Sequence, residues 1–337
     1  MYKTPFHTKD ISKNSFLVTG GAGFIGSNLV EYLLKYEAGK VVVLDNLSTG
    51  FEENIHPFLS HPNFSFIQGD ITNLADCVKA CQGIDYVFHE AALGSVPRSI
   101  ENPLATHRAN ETGFIHMLIA ARDKKVKRIV FASSSSVYGD SMEIPKKEDN
   151  TGKQLSPYAV SKKANELYAE IFAKTYHMEI VGLRYFNIFG PRQNPKGEYA
   201  AAIPLFIQSL LKNQSPSING DGKQTRDFTF VENAVQANVK AMFADGISVQ
   251  GNIFNIAVGE RISLNELVDT LKTITGSTVR SFHRADRMGD VRDSLADISK
   301  ARSLLAYNPQ ISIQEGLKFT LNWFHDRQTG AKKTRLG

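Results

Sequence analysis

No stretch constrains this chain more than Val18-Thr19-Gly20-Gly21-Ala22-Gly23-Phe24-Ile25-Gly26. It leaves a short apolar run, Ser15 to Thr19, and enters a segment with helical spacing, Asn28 to Tyr36. Without Cβ atoms, Gly20 and Gly23 let the backbone turn tightly and approach a pyrophosphate. Gly26 lets the helix pack closely on the sheet. The helix N-terminus adds unpaired N–H groups and partial positive charge. A tight strand-to-helix turn with no ligand is the plain alternative. Asp45 argues against it, because it closes the next strand near the spacing expected of a ribose-binding acid. Asn46-Leu47-Ser48-Thr49-Gly50 follows without an Arg or Lys to meet a 2′-phosphate, so the spacing predicts NAD over NADP.

Strand-like runs recur at Lys40–Leu44, Phe64–Gln68, Tyr86–His89, Arg128–Ala132 and Ile180–Arg184, with a helical pattern at Phe114–Arg122. Such alternation predicts an α/β fold, a doubly wound parallel sheet of the Rossmann kind. From Gly190 the pattern breaks into Pro191, Pro195, Pro204 and the turn Asn219-Gly220-Asp221-Gly222, before a strand at Ile253–Ala257 and a helix at Leu264–Ile274. The expected organisation is a dinucleotide-binding domain over 15–190, rejoined by about 228–258. A smaller mixed substrate-binding domain takes 191–227 and 259–330, with tails at 1–14 and 331–337.

Composition narrows the classes. No apolar run reaches the ~18 residues of a membrane span. Met1 to Asn14 lacks a signal-peptide core, and Cys77 and Cys81 cannot form a disulfide framework, which predicts a cytoplasmic protein. The net charge of +5 comes from Lys and Arg spread along the chain, with short clusters at Lys124, Lys125, Lys127, Arg128 and in the tail. A nucleic-acid binder would concentrate them, so none is expected. The two cysteines and scattered histidines predict no metal site.

Ser156-Pro157-Tyr158 opens a helix, with Ser156 as N-cap and Pro157 in the first turn. Tyr158 and Lys162, four apart, share a face. A free phenol titrates near pH ~10. A cation ~4 Å away at an effective dielectric of ~20 contributes about 4 kcal/mol before desolvation, or up to about three pKa units. Tyr158 is thus a candidate base and Lys162 the source of its field. The serine-rich stretch Ser133 to Tyr138 ends a strand, where hydroxyls face the ligand crevice of such sheets.

Taken together these features resemble the extended short-chain dehydrogenase/reductase family, and within it the UDP-hexose 4-epimerases. The likeness runs through the glycine turn, Asp70-Ile71, His89-Glu90-Ala91-Ala92, Ser133 to Gly139, Tyr158…Lys162, Tyr185 to Gln193, Gly220 to Phe228 and Gly289-Asp290-Val291-Arg292. Gly94 to Ser99 and Gly197 to Ala201 are similar to the bacterial UDP-N-acetylglucosamine 4-epimerase branch. The resemblance implies that Tyr158 removes the sugar 4-OH proton, with Ser134 bound to that hydroxyl and Ser135 assisting. It implies an NAD site lined by Gly20, Gly23, Phe24, Ile25, Gly26, Asp45, Asn46, Thr49, Gly50, Asp70, Ile71, Ala91, Ala92, Tyr158, Lys162, Tyr185 and Asn187. Ser95, Ser134, Asn187, Tyr199, Ala201, Gly220, Arg226 and Arg292 are the substrate contacts it implies. Ser299 is the small residue gating the sugar pocket. A homodimer through paired helices, Phe114–Arg122 or Ala164–Tyr176, is also implied. UDP-GlcNAc/UDP-GalNAc is the expected pair, with UDP-glucose/UDP-galactose and UDP-GlcNAcA as alternatives. Sister dehydratases and decarboxylases carry acids where this chain has Ser134-Ser135-Ser136. A catalytically silent NAD-binding sensor is the reading from another class.

Overall fold

The apolar runs form one seven-stranded sheet in the computed structural model, which describes residues 1–195, 201–285 and 292–328. Its strands are β1 (Ser15–Thr19), β2 (Lys40–Asp45), β3 (Phe64–Gln68), β4 (Tyr86–His89), β5 (Arg128–Ser134), β6 (Glu179–Tyr185) and β7 (Ile253–Ile256). They lie in the order β7-β6-β5-β4-β1-β2-β3, and every pairing is parallel. Both faces are covered, which explains why β2 is buried everywhere except Lys40. The strand order reverses between β1 and β4, and ligands of such sheets bind outside the carboxyl ends at that point. The fold class read from the sequence is therefore the observed one.

One apolar layer packs the helix Phe24–Lys35 and the helix Val231–Phe243 on the sheet, through Leu29, Leu33, Ala234 and Val235. The opposite layer holds Cys77, Phe114, Met117, Ala169 and Phe172. A third cluster, around Phe206, Phe230, Leu267 and Phe324, is built largely by the C-terminal region. The chain re-enters the sheet through Val231–Phe243 and β7, and leaves it again for the helix Leu264–Thr275.

Two readings change. Arg128 belongs to no solvated cluster: it is 5% exposed, and its Nη1 donates to the carbonyls of Ala241, Met242 and Ala244 at 2.9, 2.9 and 2.8 Å. A buried guanidinium thereby satisfies carbonyls that the end of a helix leaves unpaired. Residues 1–14 are no loose tail either. Tyr2 is fully buried, its hydroxyl donates to Asn28 O at 3.0 Å, and the Phe6 ring stacks on Tyr32 at 5.2 Å. Aromatic burial and a paired hydroxyl outweigh the polar character that suggested fraying. Residues 331–337 lie outside the described residues.

Candidate active site

A cavity of about 630 Å³ opens over the carboxyl ends of β1 to β6. Every residue named above for the NAD site lines it, from Gly20 on one side to Asn187 on the other. The glycine turn is as tight as its sequence suggested. Gly20 has φ +68°, and a Cβ there would stand 2.7 Å from Ala91 N. A Cβ at Gly26 would meet Gly20 O at 2.3 Å. The helix begins at Phe24 with Gly23 as its N-cap and no side-chain cap, so its first N–H groups face the cavity end of the turn. The Asp45 carboxylate accepts from Ala22 N at 2.9 Å and Leu47 N at 2.8 Å, and burial pushes its pKa up despite those bonds. At the end of β3, burial raises Asp70, but the Thr72 amide and Asn46 side chain outweigh it and hold the carboxyl below its usual range. An elongated, glycine-floored cavity with a helix N-terminus and two carboxylates fits a dinucleotide.

A second cavity, of about 230 Å³, adjoins the first. Ser134, Tyr158 and Asn187 line both. The other walls include Ser135, Ser136, Lys146, Leu155, Arg226, Asp293 and Ser294. Asn187 has φ +39°, and its amide donates to Asp227 O at 3.0 Å, which fixes it at the junction.

The helix Pro157–Tyr176 carries the reactive pair as its capping pattern predicted, the Ser156 hydroxyl accepting from Ala159 N at 3.1 Å. Lys162 Nζ donates to Ala132 O at 2.7 Å and lies 5.9 Å from the centre of the Tyr158 ring, because the β5 carbonyl tethers it. Burial raises the Tyr158 pKa, and a hydrogen bond with Ser134 opposes that rise. Burial also pushes Lys162 down to about 8, opposed by Glu90 and Glu166. Ser134 caps the turn Ser135–Tyr138, while the Ser133 hydroxyl is taken by Glu166 at 2.6 Å.

The remaining substrate residues divide. Arg226 lines the second cavity, and its guanidinium donates to the carbonyls of Thr225 and Arg292 at 2.9 and 3.0 Å. Arg292 is exposed and pairs with Asp221 at 2.9 Å. Ser95 caps the short helix Val96–Glu101, Ala201 precedes the helix Ala202–Leu211, and Gly220 follows the strand Ser217–Asn219. None of these four lines either cavity. Tyr199 lies outside the described residues. Ser299 is displaced from the expected role: it is exposed, starts the helix Ser299–Leu305, and bonds through its N–H to Asp297 at 2.9 Å. Ser294, five positions earlier, does line the second cavity. Lys146 and Glu90 were missed in the sequence. Glu90 stood inside a quoted motif, whereas nothing in the sequence around Lys146 marked it.

Residues 16–257 match the model of the NAD dependent epimerase/dehydratase family. The chain belongs to that family. A UDP-glucose 4-epimerase of Mycolicibacterium smegmatis is 36% identical over 314 residues, covering 92% of this chain and 98% of that protein. Among solved structures similar to this chain is the UDP-N-acetylglucosamine 4-epimerase of Methanobrevibacter ruminantium, in complex with UDP-N-acetylmuramic acid. It superposes with a TM-score of 0.88 at 38% identity, covering 93% of this chain and 99% of that one. The UDP-glucuronic acid 4-epimerase of Bacillus cereus, in complex with UDP-glucuronic acid and NAD, gives 0.86 at 33% identity, covering 93% and 99%.

Proposed function

We propose that this protein is a UDP-hexose 4-epimerase that uses tightly held NAD and acts on the UDP-GlcNAc/UDP-GalNAc pair. One observation carries the reading: Ser134, Tyr158 and Asn187 form the shared wall between the dinucleotide-shaped cavity and the second one. A sugar in the smaller cavity therefore meets the phenol where the two ligands would touch. Bound NAD supplies a reversible hydride acceptor and a positive ring. The residues do the rest. Tyr158 takes the proton of the sugar 4-OH, Ser134 orients that hydroxyl, and Lys162, 5.9 Å from the centre of the Tyr158 ring, contributes positive field. The 4-keto sugar turns within the cavity, and Tyr158 returns the proton as the carbon is reduced on its other face. Arg226, on the cavity wall, is placed to hold the diphosphate, so binding energy remote from C4 retains the intermediate.

Support for the N-acetylated pair comes from Ser294, whose small side chain leaves room in the cavity it lines with Ser134 to Ser136. The serines at 134–136 offer no acid for expelling water or carbon dioxide, which favours epimerisation over the dehydratase and decarboxylase chemistry of relatives. A homodimer fits the exposed apolar stripe of Val160, Leu167 and Ile171 on one helix, beside exposed Ile100 and Leu104. The compartment we expect is the cytoplasm, in keeping with two free, buried cysteines. Measuring kcat/KM for UDP-GlcNAc, UDP-glucose and UDP-glucuronic acid tests the assignment. The highest value should be for UDP-GlcNAc, and a clear preference for either other sugar would overturn that choice.

A further inference from the structure

Lys162 holds its ammonium in the cavity against a neutral carbonyl, Ala132 O, and makes no direct ion pair among the described residues. A buried ammonium without a counter-charge tends to lose its proton. The nearby acid Glu166 is already committed. It accepts from Arg184 Nε and Nη2 at 2.8 Å each, from Ser133 at 2.6 Å, and pairs with Lys163 at 3.6 Å. Asp45 and Asp70 line the cavity at the ends of β2 and β3 and are held by Ala22, Leu47, Thr72 and Asn46. Glu90, at the end of β4, is the other carboxyl lining this cavity among the described residues.

A directed hydrogen-bond chain prepares Glu90 for a charged role. Asn238 Nδ2 donates to Ala234 O at 2.9 Å and to the Tyr185 hydroxyl at 2.6 Å, which fixes the orientation of the amide. The Tyr185 oxygen is thus an acceptor on that side, and its own proton goes to Glu90 Oε1 at 2.8 Å. A carboxyl that receives such a bond is stabilised as the anion. The other groups around it do not compete. His89, on the same strand, is bound to Thr19 at 2.8 Å and kept neutral by burial and by Lys162, and Arg184 on β6 is spent on Glu166.

We propose that Glu90 is a positioning residue for the proton transfer, its carboxylate serving as the counter-charge that keeps Lys162 cationic beside Tyr158. This rests on the reading of Tyr158 as the base. Burial pushes Glu90 up to about 7 and Lys162 down to about 8, and each group opposes the shift of the other. The Tyr185 bond also lowers Glu90 and Glu166 also raises Lys162, so each charge leans on the other together with one further partner.

The test is the titration of Lys162 itself in the NAD-loaded protein without substrate. Lysines are labelled with ¹³C at Cε, and the signal of Lys162 is assigned by its loss in Lys162→Met. Glu90→Gln keeps the shape and can still accept from Tyr185. It should move the Lys162 midpoint down by about one pH unit, the scale of one nearby opposite charge. The alkaline limb of kcat should move in the same direction. An unmoved midpoint overturns the proposal. Tyr185→Phe removes the donor to Glu90 but neither charge, and should produce a smaller downward shift. If Glu90→Gln does not fold, this variant decides, and a midpoint that stays or rises counts against Glu90. The titration needs no turnover. Absence of epimerase activity would sink the function proposed above, while a fixed midpoint in an active enzyme would sink only the role of Glu90.

Discussion

The Lys162 ammonium stands 5.9 Å from the centre of the Tyr158 ring, one helical turn along the same helix and tied to Ala132 O. From there the lysine is a source of positive field for the phenol. Burial alone moves Tyr158 the wrong way for a base. The ammonium, the Ser134 hydroxyl and the positive ring of bound NAD must together offset it. Tyr158→Phe should therefore lower kcat by about 10²–10⁴-fold, the usual span for a general base. NAD binding and melting temperature should stay near wild type, and a variant with near-normal turnover would remove Tyr158 from its role.

The pH profile should report the lysine. With Lys162 pushed down to about 8, the ammonium is intact below that pH and lost above it. Turnover should accordingly decline as pH rises through about 8, since the phenol then loses a favourable field. Steady-state kcat between pH 6 and 10 checks this at roughly tenfold loss per unit beyond the limb. A profile still rising at pH 9.5 would contradict it.

Ser294 lines the second cavity, where a bulky side chain would reduce the space. Ser294→Tyr should lower kcat/KM for UDP-GlcNAc by about 10–100-fold while UDP-glucose loses little. Ser299→Tyr, on the exposed start of its helix, should change neither. Equal effects on both sugars at position 294 would remove it as the gate.

Tyr2 ties the N-terminal segment to the glycine-turn helix through Asn28, and its backbone carbonyl accepts from the Tyr36 hydroxyl at 2.8 Å. Truncating a buried aromatic of this kind typically costs about 3–5 kcal/mol. Chemical denaturation of Tyr2→Ala should show a loss of that order, and a change below about 1 kcal/mol would mean the segment is only resting on the surface.

Much of this molecule was legible before any coordinates. Parallel strands buried on both faces leave uninterrupted apolar runs, so β2 and β4 stood out at their observed bounds or within one residue of them, while the edge strand β3 showed by its alternation. The glycine turn and the Ser156-Pro157 cap were equally readable, because both depend on residues adjacent in sequence. What escaped depends on distant packing. Tyr2 looked like a tail residue until Tyr32, Tyr36 and Asn28 gathered around it. Arg128 looked solvated because its three carbonyl partners lie more than a hundred positions away. Ser294 and Lys146 reach the second cavity from one pairing, in which Lys146 N donates to Leu295 O at 2.7 Å. No local spacing encodes such a contact. The tether of Lys162 to Ala132 O was hidden for a similar reason, since helical spacing places two side chains on a face but says nothing of what else attracts them.

The claim beneath the whole account is that hydrogen leaves C4 of the sugar and comes back to the same carbon. The direct measurement is conversion of UDP-[4-²H]GlcNAc by the purified protein without added reductant, with the label followed by mass spectrometry and NMR. The account predicts UDP-GalNAc that keeps deuterium at C4. Loss of the label to water during conversion, or no conversion at all, would contradict it.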